Sequence, residues 1–182
     1  KRLKLPGTLI KRPEDVVSQS KLIIICTPMS EYKKIILRMN KSFQSKNIIT
    51  DVGSSKLKSL EIVNKNLKKG IFWSSSHPIA GSEVSGPENG KQNLFENKWC
   101  VLIKGKRSNK SHLKFLKSFW NKMGSKTIEM TPDKHDKIFS ITSHLPHLIA
   151  YNLVKSAQDF EKKQKYDSVS YTHLRAHETH EN

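Results

Sequence analysis

The chain has 182 residues, 35% of them hydrophobic, enough to build one domain and part of another. Its formal charge of +17 comes mostly from scattered lysines, with no arginine cluster and no basic stripe interleaved with aromatics, so nucleic acid is not the expected partner; A/T-rich codon usage accounts for the Lys, Asn and Ile content. No apolar run nears the ~20 residues of a membrane span and no secretory leader precedes the first strand, which points to a cytoplasmic protein without a membrane partner.

The opening KRLKLPGTLIKRPEDVV has no initiator Met and reads as the interior of an α/β chain, with a short helix seeded by Pro13-Glu14-Asp15. KLIIICT (21–27) is a continuous apolar run, as in a parallel strand covered on both faces. SEYKKIILRMNKSF (30–43) has helical spacing through Tyr32, Ile35, Ile36 and Met39. A strand at NIITDV (47–52) leads to a helix over 53–67 with Leu57, Leu60 and Val63 on one face, and GIFWS (70–74) is the next strand. HPIAGSEVSGPE (77–88) is too rich in Pro, Gly and Ser for helix or strand and reads as a loop, in which Gly81 and Gly86 allow positive φ or close approach of a ligand. A strand at 98–103, an amphipathic helix at 108–124 closed by Gly124 and a strand at 125–130 follow. Cys26 and Cys100 both fall in apolar strand-like runs and read as buried free thiols rather than a disulfide or metal pair.

Strands alternating with helices predict a Rossmann-like, doubly wound parallel sheet over residues 1–130. After Pro132 the punctuation stops. Residues 131–167 read as one long helix, or two with a bend at Pro146, opening an all-helical second domain. From Val169 the string VSYTHLRAHET resembles a translated sequencing adapter, so 168–182 reads as a non-native tail, and His173, His177 and His180 enter no functional argument.

Three stretches carry chemistry. DVGSSK (51–56) sits where a strand ends and a helix begins, the edge at which open α/β sheets bind ligands; Asp51 and Ser54 serve equally well there as plain helix caps. In the second, Pro78 pushes His77 into an extended conformation, holding an imidazole suited to general base work at one angle. In the third, HDKIFSITSHLPH (135–147), His144 and His147 share a helix face that Ser143 begins. A zinc site through His135, His144 and His147 is the rival reading, although no carboxylate or cysteine completes a convincing ligand set.

DxGSxK, HPIAGSExSGPE, LFENKWCVL and HDxxxxxxSHLPHLIAYNL, in this order, resemble the prephenate dehydrogenase family, which includes arogenate and cyclohexadienyl dehydrogenases of tyrosine biosynthesis. The resemblance spans about residues 20–160. It implies an NAD- or NADP-dependent oxidative decarboxylation of prephenate or arogenate by an enzyme that is a homodimer at full length. It further implies that His77 takes the hydroxyl proton, that Ser54 orients His77 and the hydroxyl, and that His147, Ser143, Glu83 and Ser82 face the substrate, with Glu83 gating access. Thr27, Pro28, Asp51 and Gly53 would lie beside the dinucleotide. The GxGxxG fingerprint and the acidic residue for the ribose are expected before residue 1, and the rest of the helical domain after about residue 167. The chain therefore reads as a fragment, expected to be inactive alone and to bind NAD weakly or not at all. A non-catalytic basic fragment and a histidine-based metal-binding protein are the alternatives.

Overall fold

The computed structural model of the chain describes residues 7–81 and 90–164. They fall into two compact units, one built from the residues up to Ala80 together with Asn93–Asp136, the other from Gly81–Gln92 and the residues from Lys137 onward.

In the first unit, helix α1 (Glu14–Val17) precedes strand β1 (Leu22–Ile25), a short 3-10 turn (Met29–Glu31) and helix α2 (Tyr32–Met39). Strand β2 (Ile48–Asp51) leads to helix α3 (Leu57–Asn66), and strand β3 (Ser76–Pro78) to strand β4 (Trp99–Ile103). Helix α4 (Lys110–Lys122), strand β5 (Lys126–Met130) and the start of helix α5 (Pro132–Phe139), as far as Asp136, complete it.

β1 and β2 pair in parallel with Ile25 opposite Asp51, and β4 pairs in parallel with β5. The mixed α/β layout with parallel ladders is the one expected. Ser74 joins the two ladders by donating its N–H to the Ile49 carbonyl at 2.9 Å. Cys100, Val101, Leu102 and Ile103 are buried, the pattern of a strand covered on both faces. α4 lays Leu113, Leu116 and Trp120 against Ile48, Cys100 and Leu102. Tyr32, Ile36 and Met39 of α2 are buried, with Leu60 and Val63 of α3.

Four expectations need correction. The strand expected at 70–74 lies further on, as β3, and takes in the first two residues of the proline-rich loop. β3 runs antiparallel to β4, with His77 opposite Val101. No helix separates the two among the described residues, and an antiparallel pair needs none. Pro78 is tolerated because it faces Cys100 in a non-hydrogen-bonded pair: the ladder bonds flank it, with the Ile79 N–H reaching the Trp99 carbonyl at 2.7 Å, so its missing N–H breaks no ladder. Second, Leu57 is 47% exposed, because α3 turns Ser59, Leu60 and Val63 inward. Third, only Cys100 is buried; Cys26 is exposed, one residue beyond the end of β1. Fourth, Gly81 does not take the positive φ that is one of its two expected uses, and the space beside it is open; Gly86 lies outside the described residues.

In the second unit the break before Pro146 is a single π-helical turn, Ser140–His144, followed by helix α6 (Leu145–Gln164). Pro146 cannot donate to the Thr142 carbonyl and its ring would crowd it, so a widened turn takes up the misfit. Residues 168–182 lie outside the described part.

Candidate active site

The site is built where β2 ends, α3 begins, β3 starts and α5 begins, all in the first unit. At its base Asp51 and Lys56 form an ion pair at 2.7 Å with both side chains fully buried. Asp51 Oδ1 accepts from Trp73 Nε1 at 2.9 Å and from the Ser75 hydroxyl. Oδ2 accepts from the Tyr32 hydroxyl at 3.1 Å and from the Gly53 N–H at 3.2 Å, besides Lys56 Nζ. Burial pulls the Lys56 pKa down and the Asp51 charge opposes that fall. Burial and the same carboxylate push Tyr32 far above its ordinary value. Lys56 Nζ also donates to the Ser76 carbonyl at 2.7 Å, while Ser76 Oγ accepts from Trp120 Nε1 at 3.1 Å and pairs with the Thr50 hydroxyl at 2.8 Å. β3 is thus pinned at its first residue from three directions. His77 follows it directly.

His77 is half-buried, and its Nδ1 lies 2.8 Å from Nε2 of His135, which is fully buried. His135 Nδ1 lies 2.7 Å from Asp136 Oδ1. The Asp136 carboxylate in turn accepts the backbone N–H groups of Lys56, at 3.0 Å, and Leu57, at 2.9 Å, the first donors of α3. Partial burial would raise the Asp136 pKa, but the Leu57 N–H, His135 and the Lys56 N–H outweigh it and hold the carboxyl below the ordinary range. The helix cap looked for in Asp51 or Ser54 is supplied by Asp136, 80 residues along the chain.

Among the predicted site residues, the structure gathers His77, Ser54, Asp51, Gly53, Thr27 and Pro28 in one unit. The register of β1 against β2 puts Thr27-Pro28 and Gly53-Ser54 together at the carboxyl edge of the parallel pair, with Thr27, Pro28 and Ser54 exposed. That edge is the usual place for a dinucleotide on such a sheet, and these four residues suit it. Asp51 is different: it faces inward, with its oxygens engaged by protein donors. Gly53 is required by packing, since a Cβ there would stand 2.9 Å from the Tyr32 hydroxyl. Ser143, half-buried, and His147, exposed, belong to the second unit. Ser82 and Glu83 lie outside the described residues. Both ring nitrogens of His135 are engaged by His77 and Asp136, and among the described residues no group of three or more His, Cys, Asp or Glu is placed to hold a metal. No described helix is long and apolar enough to cross a membrane.

The sequence offers His135 only as a possible zinc ligand and gives Asp136 no role. The one available signal was an adjacent His-Asp pair at the start of a helix; the contact to His77, 58 positions away, is tertiary.

Comparison with known proteins places the chain in a family. The nucleotide-binding domain model of prephenate dehydrogenase matches residues 7–129, and the dimerization domain model of the same enzyme matches residues 131–175, extending into the adapter-like stretch. The cyclohexadienyl dehydrogenase of Zymomonas mobilis is 29% identical over 159 residues, which cover 87% of this chain and 54% of that protein. The prephenate dehydrogenase of Bacillus subtilis is 32% identical over 146 residues, covering 80% of this chain and 39% of that one. The crystal structure of Aquifex aeolicus prephenate dehydrogenase in complex with hydroxyphenyl propionate and NAD+ matches with a TM-score of 0.82 at 28% identity, over 96% of this chain and 61% of that one. The chain spans about half or less of the length of these curated relatives. It belongs to the prephenate dehydrogenase family.

Proposed function

We propose that this chain carries the base of an NAD- or NADP-dependent dehydrogenase that converts prephenate to 4-hydroxyphenylpyruvate, or arogenate to tyrosine. The observation that carries the reading is His77 in the middle of β3, its ring held by a hydrogen bond to a buried partner. A bound nicotinamide would supply the acceptor for the hydride leaving the ring carbon that bears the hydroxyl. His77 takes the proton of that hydroxyl as the carbon–oxygen bond becomes a carbonyl. The ring carboxylate then departs as carbon dioxide, its bonding pair completing the aromatic ring, and the phenolic oxygen regains a proton. Ser54, exposed at the head of α3, orients the hydroxyl against His77. Thr27, Pro28, Gly53 and Ser54 border the dinucleotide, while Asp51 acts behind them by fixing the loop. Ser143, His147, Ser82 and Glu83 are proposed as substrate-binding residues on the family resemblance alone, and dimerization is proposed for the protein at its relatives' length.

Assayed within a chain of its relatives' length, His77→Asn should lower kcat by about 10²–10⁴-fold with a much smaller change in KM, the usual worth of a positioned base. The wild-type rate should rise with pH as the base loses its proton. An unchanged kcat and an unchanged pH profile in His77→Asn would assign the base elsewhere.

A further inference from the structure

His77, His135 and Asp136 form a hydrogen-bonded chain whose proton positions follow from the last member. An ionised carboxylate only accepts, and Asp136 already accepts two backbone N–H groups at the head of α3. The nitrogen facing it, His135 Nδ1 at 2.7 Å, must therefore carry a proton. Whether His135 also carries one on Nε2 is decided by its surroundings. The ring is fully buried in the first turn of α5, close to the positive end of that helix dipole, and both facts disfavour an imidazolium. The Asp136 carboxylate pulls the other way, but that pull is offset by the two α3 N–H groups that already share its charge. A neutral His135 presents a lone pair on Nε2. The atom 2.8 Å away, His77 Nδ1, must then donate.

We propose that His135 and Asp136 are positioning residues that fix the tautomer of His77, with the proton on Nδ1 and the lone pair on Nε2, so that Nε2 is the atom that takes the substrate's proton. This rests on the reading of His77 as the base. The reversed tautomer, with Nε2 protonated, would have nothing to accept with at that nitrogen. Once His77 gains the hydroxyl proton, its Nδ1–H still points at His135 Nε2, and the negative charge of Asp136 lies behind it. The same logic orients the histidine of a serine protease triad, where loss of the carboxylate costs about 10⁴-fold through the wrong tautomer. Here a second imidazole stands between carboxylate and base. Because Asp136 is anchored to the backbone of α3, the relay is fixed relative to the loop that carries Ser54.

The test is the ¹⁵N spectrum of histidine-labelled protein, the 182-residue chain itself, at a pH where its histidines are neutral. His77 should show a protonated Nδ1 and an unprotonated Nε2. His135→Phe, similar in size, removes the acceptor, and His77 should shift toward the Nε2–H form that free histidine prefers. His135→Gln can place its carbonyl oxygen near the position of Nε2 and should restore the Nδ1–H form. In a chain of its relatives' length, His135→Phe should lower kcat on the order of 10²–10⁴-fold with little change in KM, and His135→Gln should recover most of it. A wild-type His77 protonated on Nε2, or a folded His135→Phe chain with His77 unchanged, overturns the proposal. If His135→Phe does not fold, the wild-type spectrum alone still decides the tautomer. An Nδ1–H tautomer without prephenate- or arogenate-dependent turnover would uphold the relay and overturn the base reading, whereas turnover with the reversed tautomer would overturn the relay alone.

Discussion

Lys56 and Asp51 face each other at 2.7 Å where water is shut out, and every further donor around them, Trp73, Ser75, Tyr32 and Gly53, points at the same carboxylate. Removing one member of such a pair leaves the other charged and buried, which typically costs about 3–5 kcal/mol. Lys56→Met should therefore lower stability by about 3 kcal/mol, the low end, because the other donors remain; urea unfolding measures it. Asp136 tells a separate story about pH. Its folded pKa is depressed, so its contribution to stability is present above the unfolded carboxyl value of about 3.9 and is lost as pH falls through the lower folded value. The urea midpoint of the wild type should fall more steeply than that of Asp136→Asn below about pH 4, with the two slopes equal near neutrality. At this scale the sequence was partly legible. His77 stood out because Pro78 restricts its backbone, and Ser54 because it follows a glycine, Gly53, that lets the backbone come close to a ligand. Asp51 looked like a ligand contact because its spacing to a helix start is the same whether it faces out or in. Only the fold reveals that Trp73 and Lys56 claim it.

Elements whose ends are marked by local chemistry were readable, and α4 is the clearest case. Asn109 accepts the N–H groups of Ser111 and His112 at its start, and Gly124, at φ +89°, closes it. A Cβ at Gly124 would stand 3.1 Å from the Glu96 Cα, so Gly124→Ala combines a left-handed alanine with a backbone contact. It should lose about 1–2 kcal/mol in urea unfolding while Asn109→Asp, which keeps an acceptor, loses little. β3 and α3 were harder because their ends are set by distant partners. Nothing in SHP announces a strand; it becomes one because β4 offers Val101 and Cys100 opposite His77 and Pro78. Likewise Leu57 has the right spacing to be buried, yet the helix starts where Asp136 meets its first N–H groups, and that start rotates Leu57 outward. An interruption near Pro146 was visible from one ring, but the π-helical turn that forms it was not.

Across the whole molecule, two features act in opposite directions on self-association. The second unit exposes Leu145, Leu148, Ile149 and Leu153 on α6, at helical spacings of three and four that draw one stripe, with Leu148 at 59% and Leu153 at 56% exposure. A stripe of this kind in a region matched by a dimerization domain is suited to burial against a second copy. The formal charge of +17 opposes that pairing, since two copies repel at low ionic strength. Salt then separates the two partners that composition alone suggests. Screening shortens the reach of the repulsion from about 30 Å at 0.01 M to about 8 Å at 0.15 M, so dimerization through an apolar stripe should tighten as salt is added. Binding to nucleic acid would do the reverse, weakening steeply as counterions compete for the phosphates. Sedimentation velocity at low and moderate salt should show a dimer fraction that rises with salt and with protein concentration, and Leu148→Glu with Leu153→Glu should abolish the rise. A dimer that dissolves as salt is added would place the contact on charged groups, and a double variant that still dimerizes would place it away from α6.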